Sequence, residues 1–245
     1  MSLTATYYGA NGWLVKIGEK RILIDPWLRG ELNIIPSAPF LFRGELNKEM
    51  KMPKTIDLLV LTQGIEDHTH KMTLELLPKS IPVIASSNAA KKAISFGFSD
   101  VYSLSSGEFK EILGLIITAT KGAPVPNFEN GYLIESGQHS IYIEPHGYLD
   151  EEIKSRRLDA VISPVVNLGL PLIGAFINGK EIAPKLVKKF NPRYFLASTT
   201  GGEIKFSGIL SNFIVQKGSA EEAKQDFEQK TNFIDPIPGK EYALL

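Results

Sequence analysis

The chain has 245 residues, 43% of them hydrophobic, no cysteine, and 27 basic residues against 27 acidic ones. That apolar fraction can fill one large α/β core. Balanced charge gives nothing to recommend nucleic acid or an anionic membrane surface as a partner. The lack of thiols excludes disulfides and leaves histidine and carboxylate as the ligands a metal would use.

In chain order, hydrophobic alternation and turn residues predict strands near residues 4–8, 12–17 and 21–25. An apolar loop, Ile34-Ile35-Pro36-Ser37-Ala38-Pro39-Phe40-Leu41-Phe42, follows. A fully apolar strand is expected at 57–62, a helix at 70–78, a strand at 82–85 and a helix at 88–96. Strands near 114–120, 131–135, 140–144 and 159–162 come next, then a second apolar loop at 168–177. A helix at 175–190, a strand at 193–197 and a helix at 219–230 complete the pattern. Apolar loops beside a strand-end site suit a small-molecule substrate with a hydrophobic part, or they pack on each other or on a second copy in a homo-oligomer. The first residues lack a charged and apolar leader pattern, and no stretch approaches 18 apolar residues, so the expectation is a cytoplasmic protein without a transmembrane segment.

Two segments repeat. Residues 11–26 align without a gap to residues 130–145 and share seven of sixteen residues: Asn11/Asn130, Gly12/Gly131, Leu14/Leu133, Gly18/Gly137, Ile22/Ile141, Ile24/Ile143 and Pro26/Pro145. Each reads as a hairpin whose second strand ends in an acid and a proline, Asp25-Pro26 and Glu144-Pro145. A spacing of 119 residues is too long for a solenoid and points to two related halves, roughly 1–120 and 121–245, of a single 1–245 domain. His139 falls in the second turn and reads as exposed.

The strand at 57–62 runs into Thr62-Gln63-Gly64-Ile65-Glu66-Asp67-His68-Thr69-His70, which puts an acid and two imidazoles at a strand's carboxyl end, where α/β sheets place their sites. Glu66 reads as solvated. This segment resembles the Thr-His-x-His-x-Asp-His motif of the metallo-β-lactamase superfamily, matching it at Thr62, Asp67 and His68 and carrying Gln63 and Ile65 in place of two histidines. The segment Ile24-Asp25-Pro26-Trp27-Leu28 is similar to the lactonase-like, metal-dependent hydrolase branch. The resemblance implies a four-layer αββα sandwich of two pseudo-symmetric βα halves. It also implies that the ligands of the first metal position are lost, while Asp67 and His68 belong to the second. Two further family histidines are absent, one at Lys121-Gly122-Ala123-Pro124 and one at Ser198-Thr199-Thr200-Gly201-Gly202-Glu203, where Ser198, Thr199 and Glu203 offer only oxygen.

Aligned on the second hairpin, His146 stands where the family carries a metal-bridging Asp. An imidazole nitrogen binds one cation, so a dinuclear centre is not expected, whereas Asp67, His68 and His146 suit one divalent metal with an open position: zinc first, manganese or iron otherwise. The alternative is a metal-free hydrogen-bonded cluster. His70 is a candidate ligand or proton shuttle, or a surface group. Glu144 is a candidate base or ligand, or a simple loop cap. Asp25 is a candidate acceptor that orients His68 or His70, or a simple loop cap. No nucleotide-binding glycine loop and no serine-hydrolase elbow is present. The function expected from the resemblance is a divergent metal-dependent hydrolase in which Asp67, His70 and Glu144 serve catalysis on an ester, lactone or phosphoester. The alternative is a non-catalytic binding protein that retains the fold.

Overall fold

Alternation in the first hairpin decides which way it faces. Trp13, Val15 and Ile17 of the strand Gly12–Ile17 enter one apolar core and Leu14 the other, because successive side chains leave a strand on opposite faces. The computed structural model describes residues 2–35, 37–124, 129–171, 174–199 and 204–245.

The first sheet runs in the order Glu241–Ala243, Leu3–Gly9, Gly12–Ile17, Lys20–Ile24, Leu58–Leu61, Val83–Ala85, Val101–Ser103. The second runs Asn232–Ile234, Tyr194–Ser198, Ala160–Pro164, Ser140–Ile143, Asn130–Glu135, Leu115–Lys121, Phe109–Ile112. Each sheet begins its half with antiparallel hairpins and continues with parallel strands. The sheets face one another across a core that joins Tyr7, Trp13 and Ile22 to Ile117, Tyr132 and Ile141. Helices α1 (Lys71–Glu75) and α2 (Ser87–Ser95) cover the outer face of the first sheet through Leu74, Ala89 and Ala93. Helices α3 (Gly179–Phe190) and α4 (Ala220–Asp226) cover the second through Leu186, Phe190 and Ala223. The result is an αββα sandwich.

The repeated hairpins keep the same register. Trp13 pairs with Ile24, Leu14 with Leu23 and Val15 with Ile22; Tyr132 pairs with Ile143, Leu133 with Tyr142 and Ile134 with Ile141. Adding 119 to each residue of the first set gives the second, so the two acids Asp25 and Glu144 leave their sheets at matching points.

Two small three-stranded sheets lie where the sequence reads as loop. One joins Glu31–Asn33, Arg43–Leu46 and Ile204–Ser207; the other joins Asn167–Leu170, Gly174–Asn178 and Val215–Lys217. The helix expected from residue 175 therefore starts at Gly179, because the preceding segment pairs with Asn167–Leu170 instead of coiling. Gly169 permits this close pairing, since a Cβ there would stand 2.5 Å from the Gly174 carbonyl oxygen. The short strands gave little period to read. Among the described residues no helix is long and apolar enough to cross a membrane.

Candidate metal centre

The strand Leu58–Leu61 is buried along its whole length between two parallel neighbours, so its following loop emerges at the carboxyl edge of the sheet. Asp25, at the matching end of the adjacent strand, anchors that loop. Its Oδ1 accepts the Thr62 N–H at 2.8 Å, and its Oδ2 receives the Thr62 hydroxyl and lies 2.8 Å from His68 Nδ1. The Asp25 backbone is left-handed, φ +40°, a conformation that aspartate tolerates better than most side chains and that the surrounding hydrogen bonds sustain. Gly64 lets the loop pass against α2, where a Cβ would meet the Asn88 backbone at 2.8 Å.

From the second sheet, the strand Ser140–Ile143 delivers Glu144 and His146. Glu144 folds back on its own turn, accepting the N–H groups of His146 at 3.3 Å and Tyr148 at 2.6 Å. The carboxylate that holds His146 is instead Glu129, whose Oε2 is 2.6 Å from His146 Nδ1 and whose Oε1 accepts the Ala123 N–H. The two imidazole rings stand 4.9 Å apart.

Asp67, His68 and His146 bring one ligand atom each within 4.8 Å of one another, and no other such group of three occurs among the described residues. Each histidine has its Nδ1 on a buried carboxylate, Asp25 or Glu129, which leaves the Nε2 atoms for a ligand. Metal-binding histidines are held in this way, with the carboxylate fixing the tautomer and strengthening the ligand. The donor set of two imidazoles and a carboxylate fits one divalent cation with room for a further ligand.

The electrostatics agree with a cation site. Burial works against charge on His68, but Asp67 and Asp25 outweigh it and push the imidazole well above its ordinary value. Burial would raise Asp67, yet the His68 charge holds it down at about 2. His146 is lowered to about 4 by burial and by repulsion from His68. Burial raises Glu129 to about 7, and Glu144, its hydrogen-bonded neighbour, is raised well above the usual carboxylate range by burial and by the Glu129 charge.

Asn11 is a member of the site that the sequence showed only as the first residue of a repeat. Its Nδ2 donates to Asp67 Oδ2 at 3.2 Å and stands 3.1 Å from His68 Nε2, while its Oδ1 accepts the Thr199 hydroxyl at 3.1 Å. This amide orientation suits a His68 that carries its proton on Nδ1; a second proton on Nε2 requires the amide to turn over. Glu129 had no signal, being an isolated acid just ahead of a strand.

Other candidates lie elsewhere. His70 is buried at the N-cap of α1, with Nδ1 on the Thr73 hydroxyl at 3.0 Å and Nε2 on the Glu31 carbonyl at 3.0 Å, so both nitrogens already serve structure. Glu66 is half-buried and accepts the Lys71 N–H. Ser198 accepts from the Trp13 indole at 3.2 Å. Glu203 lies outside the described residues. His139 is buried, not exposed, because the second hairpin turn packs under Asp159, 3.5 Å from its Nδ1.

A cavity of about 280 Å³ opens over Asn11, Asp67, His146 and Thr199. Its walls come from three apolar segments: Ile34 and Phe42 of the first loop, Phe176 and Ile177 of the second, and Leu210 and Ile214 at a 3-10 turn. A larger hollow of about 510 Å³ at Arg157, Arg193 and Lys230 opens at the far end of the second sheet and holds none of these groups.

The family model for the beta-lactamase superfamily domain matches residues 4–198. The chain belongs to this superfamily. Among solved structures it is similar over 99% of its length to Igni18, a metallo hydrolase from the archaeon Ignicoccus hospitalis, at 16% identity, a TM-score of 0.69 and 98% of that chain. It is similar over 98% of its length to an isothiocyanate hydrolase from Delia radicum gut bacteria, at 17% identity, a TM-score of 0.68 and 98% of that chain. It is also similar to CmlA, a diiron β-hydroxylase from Streptomyces venezuelae, at 16% identity and a TM-score of 0.66, over 99% of this chain and 54% of that one. No curated protein matches in sequence. Proteins of similar fold thus carry different chemistry, and these likenesses speak for the fold.

Proposed function

We propose that the chain is a hydrolase that holds at most one divalent metal on Asp67, His68 and His146 and acts on an ester, lactone or phosphoester with a hydrophobic part. The observation that carries this reading is the pair of carboxylate-backed imidazoles beside Asp67, of which His146 and Asp67 line an apolar cavity. A divalent ion bound there supplies Lewis acidity, which brings the pKa of a water ligand down towards about 7. Asp25 and Glu129 keep the two rings aimed, so little reorganisation is needed when the ion binds. Asp67 and His146 are the titratable groups that line the cavity, whereas His70 and Glu144 do not line it.

Elemental mass spectrometry tests the reading. Wild type should carry about one equivalent of zinc, manganese or iron, and His68→Ala and His146→Ala should each lose it. Wild type that stays empty after incubation with all three ions rules the reading out. A second reading, a metal-free binding protein, draws on Asn11, whose amide N–H already serves the two atoms, Asp67 Oδ2 and His68 Nε2, that a cation would use. Under that reading Asn11→Ala lowers stability and no variant changes metal content.

A further inference from the structure

Among the described residues lining the 280 Å³ cavity there is no lysine and no arginine, and the one carboxylate is that of Asp67. Phosphate and carboxylate groups are ordinarily recognised by guanidinium, ammonium or helix N-termini. Asp25 and Asp67, both at the His68 ring, add negative charge at this end of the cavity. An anionic substrate would therefore lose hydration among isoleucine and phenylalanine side chains and gain no counter-charge. The volume lies just under the range of about 300–1,000 Å³ usual for drug-sized ligands, which calls for a small molecule. Asn11, Thr199 and His146 beside Asp67 make the polar end of the cavity, and the other lining residues are apolar.

We propose that the cavity takes small uncharged acyl compounds, esters or lactones bearing a short hydrocarbon chain, and rejects phosphoesters and carboxylates. The proposal rests on the hydrolase reading for its reaction but not for its ligand class. Ile34, Phe42, Phe176 and Ile177 line the space open to the chain, so affinity grows with chain length until the cavity is full.

Calorimetric titration of the full chain with non-hydrolysable probes, in chelator, separates the two ideas. Octanamide should bind roughly 15-fold more tightly than hexanamide, about fourfold for each of two methylenes. Octanoate and octyl phosphate should bind at least about tenfold more weakly than octanamide, because their charge meets Asp67. Leu210→Lys, at a partly exposed wall position, should narrow or reverse that preference. Octyl phosphate binding to wild type as tightly as octanamide overturns the proposal, as does a Leu210→Lys profile identical to wild type. Turnover after loading with zinc is read separately. The expected selectivity for amides without hydrolysis of methyl octanoate supports the ligand class and sinks the hydrolase reading. Preferential hydrolysis of bis(4-nitrophenyl) phosphate sinks the ligand class and leaves the hydrolase reading standing.

Discussion

The two hairpin ends, Asp25-Pro26 and Glu144-Pro145, share a register and nearly a sequence, yet their acids do different work. Asp25 reaches across to the next parallel strand's loop and holds Thr62 and His68. Glu144, longer by one methylene, turns back and caps its own loop through the N–H groups of His146 and Tyr148. The ring of His146 is then held by Glu129, from the chain just before the strand Asn130–Glu135. Both histidines end with a carboxylate on Nδ1, but the two halves reach that arrangement by different routes. Backbone repetition thus preserves positions, while side-chain length and the local turn decide what an acid touches.

The largest effect should come from Asp25. Removing it in Asp25→Ala strands Thr62 and His68 in the core, and breaking a buried charged pair typically costs about 3–5 kcal/mol, measurable as a lower midpoint in urea. Asp25→Asn keeps a residue that tolerates the left-handed backbone but weakens its hold on the ring proton, so metal affinity should fall by about 10–100-fold with less loss of stability. The matching change in the other half, Glu144→Gln, should leave metal content at the wild-type level. If Glu144→Gln empties the site and Asp25→Asn does not, the assignment of roles between the hairpins is reversed.

A smaller effect tests Glu129. Glu129→Gln should also weaken metal affinity by about 10–100-fold, since His146 loses its charged partner. In chelator it should change the pH dependence of folding as well. Burial raises the carboxyl from 4.5 to about 7, so the folded chain holds this proton more tightly than the unfolded chain does. That contribution is complete below about pH 4.5 and is lost as the pH rises to about 7. Wild type should therefore lose stability across this window relative to Glu129→Gln. Parallel stability curves for the two proteins from pH 4.5 to 7 would contradict the burial of a titrating acid at this position.

The fold was legible because its signals are periodic. The strand at 12–17 alternates from Trp13 to Ile17, its partner at 20–24 ends in an apolar run, and the repeat at 130–145 carried the same pairing into the second half. Asp67, His68 and His146 could be named because a motif and an aligned strand end mark them. Glu129 could not, because it acts across 17 residues on a ring whose position only the folded chain defines. His139 reads as exposed for a related reason: a hairpin turn usually faces water, whereas this one packs against Asp159. The apolar segments were visible as composition, but that 168–177 contains a strand pair and converges with 210–214 over the site depends on pairing with Val215–Lys217, too short to show a period.

The smallest effect separates capping from chemistry at His70, two residues beyond His68 and superficially its equal. His68 has one nitrogen on Asp25 and the other facing Asn11 and Asp67, whereas His70 accepts from the Thr73 N–H at the start of α1 and contacts the Glu31 carbonyl. Loss of an N-cap side chain costs about 0.5–2 kcal/mol, so His70→Ala should lower stability by that amount with metal content unchanged. His70→Asn, a good N-cap residue, should recover part of the loss. A proton shuttle would behave otherwise: neither Ala nor Asn titrates near neutrality, so turnover would fall equally in both variants while stability differed between them. Recovery of activity in step with stability in His70→Asn therefore marks the imidazole as a cap, and equal inactivation of the two variants would return it to the chemistry.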